Sequence, residues 1–351
     1  MPAPPLAVVV ERFGAPDSFA LGPATSRGPG AGEVAVRVAA AGLSHVDLLI
    51  ASGEYQVRPP LPFIPGTEFA GIVEAVGNGV CHVRAGDRVC GSGWGGALTR
   101  RAIAPAERVL AIPATMPFDQ AAVFRVSFTT AWHALVQRGA LRAGETVLVL
   151  GAGGAVGHAA VQVARALGAR VIASASSPAK RALAVAGGAE AAIDAHSETW
   201  REDLRAACAG APLDLVVDPL GGTATEPAFR SLGWGGRHLV IGFAGGAIPR
   251  LATNLALLKG AALVGVDIKQ FEERFPEAAA HNLAALLALH GQGAIVPAVG
   301  RRYALADFRT AMEDVRAGVT AGRVVVEMES DDGVLASPSR LGPQPDRADG
   351  G

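Results

Sequence analysis

Short apolar runs separated by turn residues divide the chain into two textures. Up to about residue 117, Gly and Pro punctuate runs such as EVAVRVAAAG (33–42), AGIVEAVG (70–77) and GDRVCGSG (86–93). Short strands closed by turn residues predict an irregular all-β lobe. From about residue 119, helix-length and strand-length segments alternate, the arrangement that builds βαβ units and a parallel sheet. The strands there are rich in Val, Ile and Leu: TVLVL (146–150), RVIAS (170–174), LDLVVD (213–218), RHLVIGF (237–243) and ALVGVD (262–267). Runs without alternation suit strands covered on both faces. Between the first two, Val156, Ala159, Ala160, Val163 and Leu167 recur at helical spacing, with Gln162 and Arg165 off that stripe.

After a long helical segment at 275–293, YALADFRTAMEDVRAG and the strand GRVVVEM are expected to return to the first lobe and complete it. The fold class is α/β: a doubly wound parallel sheet of Rossmann type beside a β-rich domain. The β-rich domain is assigned to 1–118, completed by 294–328, and the parallel-sheet domain to 119–293. Residues 329–351 are polar and rich in Gly and Pro, and are expected to form a disordered tail.

Composition narrows the function. A chain of 351 residues is long for one core, since chains beyond roughly 250 residues split into domains. Half the residues are hydrophobic and the formal net charge is -1, so no long-range field favours nucleic acid or an anionic membrane. Cys81, Cys90 and Cys208 show no CxxC spacing and read as buried thiols in a reducing compartment. The N-terminus has no signal-peptide pattern, and no apolar stretch approaches the roughly 20 residues of a membrane span. A cytoplasmic protein is expected.

The stretch TVLVLGAGGAVG places Gly151, Gly154 and Gly157 after a strand and at the opening of a helix whose first turn holds Ala155 and Val156. Such a turn lets the backbone approach a pyrophosphate, while the helix N-terminus offers unpaired N–H groups and partial positive charge. The second strand then selects the dinucleotide. An NAD-binding unit carries an acid for the ribose hydroxyls there, but ASASSPAKR has none before Glu190. Ser174, Ser176 and Ser177 can donate to a 2′-phosphate and Lys180 or Arg181 can neutralise it, which favours NADP(H).

At this point the chain resembles a known family. VAVRVAAAGLSHVDLLIASGEY, PPLPFIPGTEFAGIVEAVG, AGDRV, GALTRRAIAP, FTTAWHAL, the glycine-rich unit, DLVVDPLGG and GGRHLVIGFAGG are similar, in order, to the medium-chain dehydrogenase/reductases. Within them they resemble the zinc-independent NADPH:quinone oxidoreductase (zeta-crystallin-like) branch. The resemblance implies a GroES-like catalytic lobe, a cleft between it and the Rossmann lobe, and a homodimer joined through the edge strand at 262–267. It also implies that Thr130 lies near the nicotinamide, that Gly242 and Phe243 run along the cofactor, and that Leu220 lies in the turn after the fourth strand.

The resemblance also bears on metal. Zinc-dependent relatives carry a cysteine where this chain has Ser44 and a histidine where it has Thr67, and an alcohol is a poor zinc ligand. The four-cysteine lobe of a structural zinc is missing as well, so no metal is expected. His45 stands where some relatives contact the cofactor pyrophosphate, Glu68 is expected to brace its turn through local hydrogen bonds, and the other histidines are expected to be structural or exposed. Hydride from NADPH would then pass to a quinone or an α,β-unsaturated carbonyl, in a pocket formed by Ser44, Tyr55, Trp94 and Arg125, with Ser44 donating one hydrogen bond. The family's tyrosines fall on Leu49 and Ala195. An enoyl-thioester reductase and a non-catalytic NADPH-binding protein are the alternative readings.

Overall fold

The computed structural model describes residues 5–24 and 27–328, so the tail expected at 329–351 lies outside the described residues. In chain order come β1 (Leu6–Val9), β2 (Ala20–Pro23), β3 (Glu33–Leu43), α1 (His45–Ser52), β4 (Glu68–Val76), β5 (Arg88–Ser92), β6 (Arg101–Pro105) and β7 (Val109–Ala111). Helices α2 (Phe118–Ala121) and α3 (Arg125–Trp132) lead into β8 (Thr146–Leu150), α4 (Ala155–Ala166), β9 (Arg170–Ala175), α5 (Pro178–Ala186) and β10 (Ala191–Asp194). Then follow α6 (Trp200–Cys208), β11 (Leu215–Asp218), α7 (Thr225–Ser231), β12 (Arg237–Val240), α8 (Asn254–Lys259), β13 (Ala262–Gly265), α9 (Ile268–Arg274) and α10 (Pro276–Gly291). The described chain closes with β14 (Val299–Ala304), α11 (Phe308–Ala317) and β15 (Arg323–Glu327).

Strands β8 to β13 make one parallel sheet in the order β10-β9-β8-β11-β12-β13. The order reverses between β8 and β11, and ligands of such sheets bind outside the carboxyl ends at that switch point. The five expected strands are all present. The sixth, β10, escapes the sequence pattern because AAID is an edge strand, mostly half-exposed and nearly without β-branched bulk.

The other large sheet runs β14-β15-β3-β4-β5-β7, with β6 also paired to β3. Here β15 lies antiparallel to β3, with Val326 opposite Ala41, so the far end of the chain returns to the β-rich sheet. Phe308 and Met312 of α11 and Val324 and Val326 of β15 share one core with Val34, Val36 and Phe69. That burial, about 1.5–3 kcal/mol per large side chain, holds the return in place.

One expectation fails, that all three cysteines are buried, and one side chain off the apolar stripe, Gln162, is enclosed nonetheless. Helix α4 is enclosed between the parallel sheet and α3, and the Gln162 amide donates to the Val296 carbonyl at 3.0 Å and accepts from its N–H at 2.6 Å. Helical periodicity identifies one apolar stripe and cannot see the second contact. Cys90 and Cys208 are buried, but Cys81 is exposed.

His158 lies in the first turn of α4 and is 6% exposed. Its Nδ1 has no partner, and its ring occupies the space beside Gly187, where a Cβ would come within 2.7 Å. Burial lowers its pKa from 6.5 to about 4. Between those values the unfolded chain binds the extra proton, so stability rises with pH through that window and is lost as pH falls from 6.5 towards 4, by about 3 kcal/mol. Denaturant unfolding at pH 7 and pH 4.5 is expected to show this loss in the wild type and a smaller one in His158→Leu. An equal acid sensitivity in both proteins would contradict it.

Candidate active site

Beyond β8 the chain turns at Gly151, with φ 60°, and enters α4 through Gly154 as the N-cap. A Cβ on Gly157 would meet the Gly151 carbonyl oxygen at 2.2 Å, so only glycine lets the helix abut the turn. A Cβ on Gly151 would meet Leu220 at 2.9 Å, whereas Gly154 is exposed and its nearest neighbour would be 3.3 Å away. The open backbone at Gly154, with the half-exposed Ala155 and Val156 in the first turn, leaves the amide groups of α4 free for an anion. Leu220, from the turn after β11, packs beside Gly151, and Gly242 and Phe243, which follow β12, pack beside Gly221 of the same turn. Thr130 is nearly buried on α3, and its hydroxyl donates to the Val126 carbonyl at 2.7 Å.

The corner expected to receive a 2′-phosphate is only partly as the sequence suggests. Strand β9 carries no acid, and Ser176 just beyond it is exposed. Ser174, however, is buried and accepts a bond from the Trp200 indole at 3.1 Å. The Lys180 ammonium donates to the Gly318 carbonyl at 2.5 Å, away from this corner. Arg181 pairs with Asp194 at 2.9 Å. Asp194 ends β10, whose AAID carries no strand pattern, in register with Ala175.

On the β-rich side, one buried carboxylate organises the two positions that hold zinc ligands in the relatives named above. Asp47 accepts from the Ser44 amide at 2.6 Å, the Ser44 hydroxyl at 2.7 Å and the Thr67 amide at 2.6 Å. Burial raises its pKa in spite of these bonds. The single proton of Ser44 is therefore directed inward, not towards a substrate as expected. Among the described residues, no three His, Cys, Asp or Glu side chains are placed to hold a metal ion.

Glu68 also departs from the local role expected of it. Its Oε1 accepts from the Val126 amide at 2.9 Å, and its Oε2 pairs with Arg323 of β15 at 3.0 Å, both groups buried. Arg323 further donates to the Leu43 carbonyl at 3.2 Å and the Ser127 hydroxyl at 2.7 Å. Burial pushes the Glu68 carboxyl up. The one sequence signal for this partner is a charged residue opening the apolar run RVVVE. Arg125 does not reach the cavity. It is buried at the start of α3 and donates to the Arg108 carbonyl at 2.9 Å.

A cavity of about 610 Å3 opens beside the carboxyl ends of β12 and β13, lined by Ile241, Phe243, Val266 and Asp267 from the sheet side and by His133 and Phe271. The His133 ring stacks on Phe271 with centroids 4.2 Å apart. Tyr55 and Trp94 lie 5.9 Å apart, and the Lys269 ammonium sits 5.8 Å above Trp94. Burial, and then the Asp267 carboxylate, raise the Tyr55 pKa. Tyr55 and Trp94 thus meet the segment that follows β13, across the crevice. His45 is exposed at the first position of α1. His133, Asp267, Lys269 and Phe271 were not singled out by the sequence, whose HAL and DIKQF carry no spacing that marks them.

Removing Arg323 would strand the Glu68 charge in the interior, which typically costs 3–5 kcal/mol. Arg323→Met is therefore expected to lower unfolding stability by about that amount, and Glu68→Leu combined with it to recover part of the loss. A double-mutant cycle in urea checks this, and strict additivity would show that the pair is not coupled.

Comparison with known proteins agrees with this architecture on both lobes. A model described as alcohol dehydrogenase GroES-like domain matches residues 30–114, and one described as zinc-binding dehydrogenase matches residues 155–285. Quinone oxidoreductase-like protein 2 of Bos taurus is 34% identical over 298 residues, 85% of this chain and 85% of that protein. The quinone oxidoreductase of Thermus thermophilus, solved also as its complex with NADPH, superposes with a TM-score of 0.79 at 36% identity, covering 92% of this chain and 99% of that one. Mycobacterial Rv1454c complexed with NADPH gives a TM-score of 0.84 at 31% identity, with coverage of 92% and 99%. The chain belongs to the medium-chain dehydrogenase/reductase superfamily of oxidoreductases, in its quinone oxidoreductase branch.

Proposed function

We propose that this chain is an NADP(H)-dependent oxidoreductase that works without zinc and reduces a quinone or an α,β-unsaturated carbonyl. The observation that carries the reading is the open glycine turn at Gly151–Gly157, linked through the Leu220–Gly221 turn to Phe243, which lines the cavity at the ends of β12 and β13. Relatives solved with NADPH support the choice of cofactor. So do the lack of an acid on β9 and the exposed Ser176 just beyond it.

A bound reduced nicotinamide supplies the hydride, and the residues of this chain bind, orient and donate. The N-terminus of α4 receives the pyrophosphate, while Leu220, Gly242 and Phe243 form the opposite wall. With Ser44 and Thr67 in the ligand positions and both engaged by Asp47, the acceptor must itself be electrophilic. Charge then develops on its oxygen, which a hydrogen-bond donor stabilises. Ser44 has spent its proton; His133, Gln137 and Gln270 line the cavity itself, and Tyr55, beside Trp94, is the donor offered from the β-rich lobe. Its hydroxyl has no partner among the described residues, and its raised pKa keeps it protonated at neutral pH.

The fold also offers a self-complementary edge. Strand β13 ends the parallel sheet, and Leu263 on it, Leu257 and Leu258 on α8, and Trp234 are 50–85% exposed. A second copy joined along β13 would extend the sheet and cover these side chains. The homodimer is part of this proposal.

Loss of NADPH absorbance, followed against quinones, enones and enoyl thioesters, tests the reading. Turnover of a quinone or an enone is expected, faster with NADPH than NADH, and Tyr55→Phe should lower kcat by about a hundredfold with NADPH affinity unchanged. Turnover of enoyl thioesters alone would move the substrate class. Tight NADPH binding without turnover of any of them would replace the reading with a non-catalytic one. For the assembly, Leu257→Glu with Leu263→Lys is expected to halve the mass measured by light scattering, and an unchanged dimer mass would place the interface elsewhere.

A further inference from the structure

The turn between β11 and α7 has an unusual support. Asp218, the last residue of β11, is 1% exposed, and its carboxylate receives four donors. Oδ1 accepts from the amides of Leu220 at 3.0 Å and Gly221 at 2.8 Å, while Oδ2 accepts from the Thr225 hydroxyl at 2.7 Å and lies 2.8 Å from Nε2 of His238. Burial alone would raise the Asp218 carboxyl, but the bonds from His238, Gly221 and Thr225 outweigh it and hold it below the usual range. An ionised carboxylate only accepts, so His238 carries its proton on Nε2.

That choice is costly for His238. The ring is fully buried on β12, and its Nδ1 has no partner among the described residues. A leucine there would fill the space without an unpaired nitrogen. Three donors already serve Asp218 without His238. What the imidazole adds is a rigid link from β12, the strand that leads into Ile241, Gly242 and Phe243, to the turn on the neighbouring strand. The backbone reinforces it, since the Ile241 amide donates to the Asp218 carbonyl at 2.9 Å.

The turn needs such a link. Gly221 and Gly222 both have φ near +64°, the left-handed region that glycine enters freely. Leu220 sits where a Cβ on Gly151 would come within 2.9 Å, and Gly221 where one would meet Phe243 at 2.7 Å. The turn therefore touches both walls of the dinucleotide crevice, and its own glycines supply little stiffness.

We propose that His238 is a positioning residue: through Asp218 it holds the turn at 220–222 between Gly151 and Phe243 in the shape that receives the dinucleotide. The proposal rests on the nicotinamide-dinucleotide reading above. It makes His238 act on cofactor affinity more than on the chemical step, because no part of its ring reaches the crevice.

The test compares the wild type with His238→Leu, His238→Gln and Thr225→Val. It measures NADPH affinity by fluorescence titration, kcat and KM, thermal stability, and amide hydrogen exchange of residues 219–222 without cofactor. Expected are a rise of at least tenfold in the NADPH dissociation constant for His238→Leu, with kcat within twofold, and faster exchange at Leu220 and Gly221. His238→Gln, which keeps a donor towards Asp218, should recover most of the affinity, and Thr225→Val should show a smaller rise. A folded His238→Leu protein that binds NADPH within twofold of the wild type overturns the proposal and leaves His238 a packing residue. If His238→Leu does not fold, the wild type and Thr225→Val decide. Unprotected Leu220 and Gly221 amides in the wild type, or unchanged affinity in Thr225→Val, overturn it. Wild-type protein that binds no NADPH overturns the dinucleotide reading itself, and with it this proposal.

Discussion

The buried pair of Glu68 and Arg323 joins parts of the chain that are 255 residues apart. Two charges removed from water are stable only when their remaining hydrogen-bonding capacity is also met. Here Arg323 is completed by the Leu43 carbonyl and the Ser127 hydroxyl, and Glu68 by the Val126 amide. Those partners lie on β3 and α3, so the pair ties the returning strand β15 and strand β4 to the helix that packs against α4 of the nucleotide sheet. The mutual position of the two sheets, and so the width of the crevice, depends on it.

Asp47 repeats the principle at the neighbouring site. In relatives with zinc, the metal would gather the residues at the positions of Ser44 and Thr67. In this chain a single carboxylate gathers them through two amides and a hydroxyl. A similar backbone is held by different chemistry, and the consequence is that Ser44 has no proton to offer a substrate. Tyr55, beside Trp94 and within the field of Asp267, is the donor proposed above in its place. Asp218 on β11 is likewise held by four donors and Glu68 by two, so three buried carboxylates brace the backbone around the site.

Much of this was legible from the sequence and some of it was not, for physical reasons. The glycines at 151, 154 and 157 could be assigned because the conformations they permit are local. Four of the five expected strands stood out because burial on both faces demands continuous apolar residues, and the edge strand β13 because its ALVG is apolar although mostly exposed. The other edge strand, β10, has only AAID and no such run, and with it Asp194 was lost. Ser174 and Lys180 have the right chemistry for a phosphate, yet one lies beneath Trp200 and the other reaches the loop after α11. Residue type states what a side chain can do, and its partners decide what it does.

By itself, then, the sequence determined the two-lobed class, the dinucleotide turn, the loss of the zinc-ligand residue types and the return of the last strand, because each is set by local conformational preference, apolar periodicity or the presence of a particular side chain. Only the tertiary structure decided that Ser44 faces Asp47, that Glu68 meets Arg323, that His238 stands behind Asp218, and that His133 and Phe271 share a cavity with Phe243. These are contacts between residues distant in the chain. They depend on how the sheets and helices pack, which no spacing along a single sequence encodes.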